Sequence, residues 1–150
     1  MTTEKATAKT PRQIWMALLA KADPARLVAL FPDLPMHEVI RSPEVGAVMV
    51  RGRIGGTAAP FNLGEMTVTR ATVRLADGTV GHAYVQGRDR AHCARAAVLD
   101  ALLQTAAEPD LRRTVLDVLA TEVVATRQAR AEKAAATKVD FFTLVRGEDA

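Results

Sequence analysis

The densest cluster of reactive side chains lies in VQGRDRAHCARAAVLDALL, residues 85–103, where Arg88, Asp89, Arg90, His92 and Cys93 fall within six positions. Three chemistries are conceivable: a cysteine nucleophile with a histidine base, a metal site, or an anion held at a helix N-terminus. The first needs the imidazole within hydrogen-bond reach of the sulfur. His92 and Cys93 are adjacent on a predicted helix, so they project about 100° apart and do not face each other. Cys93 also lies among alanines, where a free cysteine packs as a small apolar residue. A metal would require His37, His82, His92 and Cys93 to converge, and none of them shows the i, i+4 or C-x-x-C spacing of local ligands. No metal is expected. His82 reads instead as a core or interface histidine with a satisfied hydrogen bond. The third chemistry has some support. Gly87 ends a strand, Asp89 is placed as N-cap, and Arg88 stands beside the free N–H groups of the helix start.

A second candidate is RGRIGGTAAPFNLGE, residues 51–65, with Gly55 and Gly56 behind Arg53. Paired glycines let backbone approach a phosphate and expose N–H groups to it. The Gly-Lys-Ser/Thr ending of a P-loop is missing, and no helix follows. A plain structural loop is the favoured reading of the stretch. Arg53, Gly55, Gly56, Arg88 and His92 are therefore the anion or substrate-channel candidates, and no residue stands out as catalytic.

The elements that must position these residues follow from the local pattern. Pro11 and the pair Asp23-Pro24 each open a short helix. Strand-like stretches cover residues 36–42, 45–54, 66–75 and 80–85, with a turn through Pro43 and Glu44 and a loop over residues 55–64. Asp77-Gly78 predicts a two-residue hairpin. That register opposes Leu75 to Val80, Val73 to His82 and Ala71 to Tyr84 on an apolar face. Arg70, Arg74, Thr72, Ala83 and Val85 then share the other face. Val48, Val50 and Ile54 alternate with Met49, Arg51 and Arg53, so Arg51, Arg53, Arg70 and Arg74 are expected together on the open face. Such a face suits an anion or a partner, although an antiparallel sheet commonly wets one side.

Two helices follow, from Arg90 to about Ala106 and from Pro109 to about Lys138. The expected fold is α+β: N-terminal helices, an antiparallel sheet of about four strands, C-terminal helices and an extended tail. The domain reading is a flexible 1–10, a single domain over 11–138, and a tail over 139–150. The tail's Phe141, Phe142, Leu144 and Val145 form an apolar patch suited to docking on a partner.

Composition narrows the classes. The 150 residues suit one domain, with a net charge of +3 and 4% aromatics. Aromatics are too few for a base-stacking platform, so nucleic acid is not expected as a partner. A single cysteine excludes an internal disulfide and cannot by itself hold an iron–sulfur cluster. The N-terminus has no signal-type apolar core and no stretch approaches a membrane span, so a cytoplasmic, membrane-free protein is expected.

The stretches RQIWMALLA, EVIR, RGRIGGT, GEMTVTRATVRLADGTVGHAYVQGRD, AVLDAL and VDFFTLVRG occur in order from Arg12 to Gly147. Together they resemble the G-subunit family of the carbon–phosphorus lyase core complex, PhnG, which serves organic phosphonate catabolism. The resemblance implies a subunit that joins H, I and J subunits, with the I subunit the expected direct neighbour and the L subunit a functional partner. It implies a role in forming alpha-D-ribose 1-methylphosphonate 5-triphosphate from ATP and methylphosphonate with adenine release, a transferase reaction. MgATP is then a substrate of the complex, and no cofactor belongs to this chain alone. The nucleosidase-like activity is associated with the I subunit, and the radical step with the J subunit. Cys93 falls outside the shared pattern; His92 is the histidine of its GRD-x-x-H element. The competing reading is an independent nucleotide-binding enzyme or regulatory module that uses the glycine loop and arginines on phosphates.

Overall fold

A computed structural model describes residues 8–138. Helix α1 (Pro11–Lys21) starts at Thr10, whose hydroxyl accepts from the Gln13 N–H while the Gln13 side chain accepts from the Thr10 N–H. This reciprocal pair satisfies two donors that a helix start otherwise leaves orphaned. Helix α2 (Pro24–Leu30) is capped by Asp23, which accepts from the Arg26 N–H at 2.8 Å. Arg95 closes the other end of α2 by donating to the carbonyls of Phe31 and Pro32.

The sheet has three antiparallel strands in the order β1 (His37–Arg53), β2 (Pro60–Leu75), β3 (Val80–Gln86), rather than about four. The two expected first strands are one. Pro43 and Glu44 do not make a turn but sit at register shifts inside β1, between Arg41 and Glu44. Proline is tolerated there because β1 is an edge strand and a bulge does not need its missing N–H. The loop expected over 55–64 is also shorter. Pairing continues to Arg53 and Pro60, leaving only the tip between them, with Ile54–Gly56 in a 3-10 turn.

The β2–β3 hairpin differs from expectation by one residue. Arg74 pairs with Val80, Thr72 with His82, and Ala71 with Ala83. The loop has three residues, Ala76, Asp77 and Gly78. The Leu75 N–H donates to the Thr79 carbonyl and the Gly78 N–H to that of Leu75. Gly78 has φ +90°, the left-handed position that closes a three-residue hairpin loop. A one-residue slip exchanges the faces of β3. Gly81, Ala83 and Val85 therefore point inward with Ala71, Val73 and Leu75, while His82 and Tyr84 are exposed.

Helix α3 (Arg90–Leu102) covers the inner face of the sheet, with α1 beside it. The chain then passes through α4 (Glu108–Leu111) and a π-helical turn (Arg112–Leu116) into α5 (Asp117–Ala136). The core joins Leu19 and Leu27 to Val73, Val85, Val98, Leu99, Val115 and Leu119. The alanine content of α3 has a structural use: it lets backbone approach backbone. A Cβ on Gly81 would lie 2.1 Å from the Ala97 carbonyl oxygen and 2.6 Å from the Ala101 nitrogen. Only glycine fits there.

Candidate functional site

The reactive cluster of the sequence is absorbed into the core. Asp89 caps α3 by accepting from the His92 N–H at 2.8 Å, so its own carboxylate occupies the position an external anion would take. His92 is buried, and its Nε2 lies 2.8 Å from the Leu19 carbonyl oxygen, tying α3 to α1. Cys93 is fully buried and its Sγ donates to the Thr69 carbonyl at 3.2 Å. Burial pushes its thiol up to about 11, so the nucleophilic thiolate is disfavoured at neutral pH. The three histidines have different partners. His37 Nδ1 is 2.8 Å from the Pro35 carbonyl oxygen, and His82, exposed rather than in the core, is 3.1 Å from the Thr72 hydroxyl.

Arg53, Gly55 and Gly56 lie at the tip of the β1–β2 ribbon. Gly55 and Gly56 have φ of +61° and +76°, which is why glycines stand there. Arg88 follows Gly87, whose N–H donates to the Thr67 carbonyl. Pro60 at the tip is seven residues along β2 from Thr67, a span of about 23 Å at 3.3 Å per residue. The five candidates therefore do not form one cluster: three are at the tip, Arg88 is at the base of the ribbon, and His92 is inside.

The arginines expected to converge are also dispersed. Arg70 pairs with Glu44 at 3.2 Å and Arg74 with Glu38 at 3.3 Å, so much of their charge is met within the sheet. Arg51 pairs across from Asn62, eight residues along β2 from Arg70, or about 26 Å away. The tail residues Phe141, Phe142, Leu144 and Val145 lie outside the described residues.

One constellation escaped the sequence reading. Asp100 is fully buried in α3 and accepts four hydrogen bonds: from Arg12 Nε at 3.1 Å, Arg12 Nη2 at 2.7 Å, Trp15 Nε1 at 2.8 Å and the His82 backbone N–H at 2.9 Å. Each oxygen takes two donors, so the buried charge is paired and solvated by protein. The Asp100 carboxylate in turn holds the Arg12 guanidinium above its ordinary value. Asp100 also caps an N–H on the outer edge of β3, and Gln104 caps the Val80 carbonyl there. A cavity of roughly 150 Å³ adjoins it, lined by Met16, Leu19, Tyr84 and Ala96 among others. The available signal was an aspartate alone on an otherwise apolar run, AVLDALL.

The described residues thus define a small α+β domain whose polar chemistry goes into holding helices to a sheet and whose longest ribbon projects from it. The family described as "Phosphonate metabolism protein PhnG" matches residues 10–147. The chain belongs to that family. It is also similar to "Alpha-D-ribose 1-methylphosphonate 5-triphosphate synthase subunit PhnG" of Rhizobium meliloti (strain 1021), at 48% identity over 141 residues, covering 92% of this chain and 90% of that protein. No helix among the described residues is long and apolar enough to cross a membrane.

Proposed function

We propose that this chain is a subunit of a synthase that forms alpha-D-ribose 1-methylphosphonate 5-triphosphate from MgATP and methylphosphonate. The observation that carries the reading is the 48% identity to a subunit so named, extending over 92% of the chain. The reaction is a transfer at ribose C1. A phosphonate oxygen forms a bond to C1, the bond from C1 to adenine breaks, and adenine leaves with a proton. The partners are the H, I and J subunits of the carbon–phosphorus lyase core complex, with the I subunit in direct contact and the L subunit acting with them in the cytoplasm.

The chain's share is to organise its neighbours, not to perform the bond change alone. Its one thiol, Cys93, and its buried imidazole, His92, are both engaged by core carbonyls. Arg53, Gly55, Gly56 and Arg88 are exposed, and remain the groups able to reach a triphosphate held mainly by a neighbour. The tail over 139–150 docks on the I subunit. Calorimetric titration of the isolated chain with MgATP tests the division of labour. The reading expects no binding at millimolar nucleotide; micromolar binding supports the independent nucleotide-binding enzyme instead.

A further inference from the structure

The β1–β2 ribbon outruns its sheet. The last β3 pair joins Val68 to Gln86, yet β1 and β2 stay paired out to Arg53 and Pro60. Eight residues of β2 separate Val68 from Pro60, so the ribbon projects about 26 Å past the third strand. A two-stranded ribbon in water is marginal by itself and gains stability when a face is covered. Several of its exposed side chains are apolar: Ile54 is 71% exposed, Leu63 66%, Met49 51% and Phe61 39%. Single exposed apolar residues are ordinary, but four on one projecting ribbon mark a contact surface.

Charge says what kind of surface covers it. Between Val45 and Gly64 the sequence has two arginines and no acidic residue. Arg41, Arg70 and Arg74, nearer the body of the sheet, each lie within 4.0 Å of a glutamate. Arg51 and Arg53 have no ion-pair partner among the described residues, and the one acidic residue between Val45 and Thr67, Glu65, stands across from Met49 rather than from either arginine. A second copy docking ribbon to ribbon would bring four guanidiniums together against only two carboxylates, those of Glu65. Two arginines are also too few for a nucleic-acid contact, which commonly neutralises about 6–10 phosphates.

We propose that the ribbon from Val45 to Thr67 is an arm that inserts Ile54, Phe61 and Leu63 into an apolar cleft of another synthase subunit, with carboxylates on the cleft's rim pairing with Arg51 and Arg53. The inference rests on the subunit reading above and adds the surface that makes the contact. Buried apolar anchors with a charged rim are the usual anatomy of such an interface.

The test is co-purification of the tagged full-length chain with co-expressed untagged H, I and J subunits. Wild type, Ile54→Asp, Leu63→Glu and the double variant Arg51→Glu/Arg53→Glu are compared. None of these side chains belongs to the core, so the melting temperature of each isolated variant should stay within about 2 °C of wild type. The arm predicts at least tenfold less partner retained by each variant, with the arginine variant's loss shrinking as salt rises. Equal recovery by wild type and the apolar variants overturns the arm while leaving the subunit reading standing. No retention by wild type itself overturns both. A wild-type homodimer that the variants convert to monomer assigns the surface to a second copy and also overturns the proposal.

Discussion

Arg12 of α1 donates twice to Asp100 of α3, through Nε at 3.1 Å and Nη2 at 2.7 Å, across 88 positions of sequence. The pair is asymmetric. Asp100 is fully buried, whereas the Arg12 side chain keeps 38% of its exposure. The guanidinium therefore retains part of its hydration while the carboxylate relies on protein donors. Trp15 and the His82 N–H complete them, so one carboxylate joins α1, α3 and β3.

Replacing Asp100 with Asn keeps the shape but puts an amide NH2 against donors. Removing one member of a buried network costs roughly 2–4 kcal/mol, a value discounted because Arg12 is partly hydrated. The melting temperature should fall by about 5–15 °C for a chain of this size. A fall under 2 °C in a thermal melt would mean that Asp100 does not hold the helices.

Gly81→Ala forces a Cβ into the backbone of α3 at Ala97 and Ala101. Backbone cannot swing aside, so the penalty is at least the roughly 1–3 kcal/mol of an overpacked core. Gly46→Ala provides the control, because nothing lies within 4 Å of a Cβ there. Denaturant midpoints should separate the two variants clearly; equal midpoints would contradict the close approach of β3 to α3.

Cys93 has a folded-state value of about 11 against an ordinary value of 9.0. A raised thiol value favours the protonated form in the folded state. Its contribution is fully present below about pH 9 and is lost as pH rises toward 11. At pH 8 an aromatic disulfide reagent should label the native chain far more slowly than the chain in denaturant. Equal labelling rates would place the thiol at the surface.

Deleting residues 139–150 should leave the thermal melt of the domain unchanged and reduce its co-purification with the I subunit. Unchanged recovery of that subunit would remove the tail from the interface.

The helix starts at Asp23 and Asp89 were legible because a cap is a bond between residues three apart. The hairpin at Asp77-Gly78 was legible as a turn but not in register. Two- and three-residue loops both use that dipeptide, and the choice is made by the Leu75–Thr79 pairing. Pro43 read as a turn because proline usually breaks strands; its place at a bulge of an edge strand depends on which strand has a neighbour. The strand from Pro60 to Gly64 was missed because a ribbon with neither face buried shows no alternation. Asp100 was passed over for a different reason: its partners are an arginine and a tryptophan more than 80 positions away, plus a backbone N–H. The glycine tip and Arg88 were each identifiable as exposed polar features, but their separation is a property of the ribbon's length.

The central claim is that this chain completes a synthase without catalysing alone. The direct measurement is adenine release from MgATP and methylphosphonate, followed chromatographically, with the G, H, I, J and L subunits supplied together and then with each arrangement omitting or isolating this chain. The account predicts release by the full set, loss when this chain is left out, and none from this chain alone. Adenine release by the isolated chain, or undiminished release without it, would contradict the account.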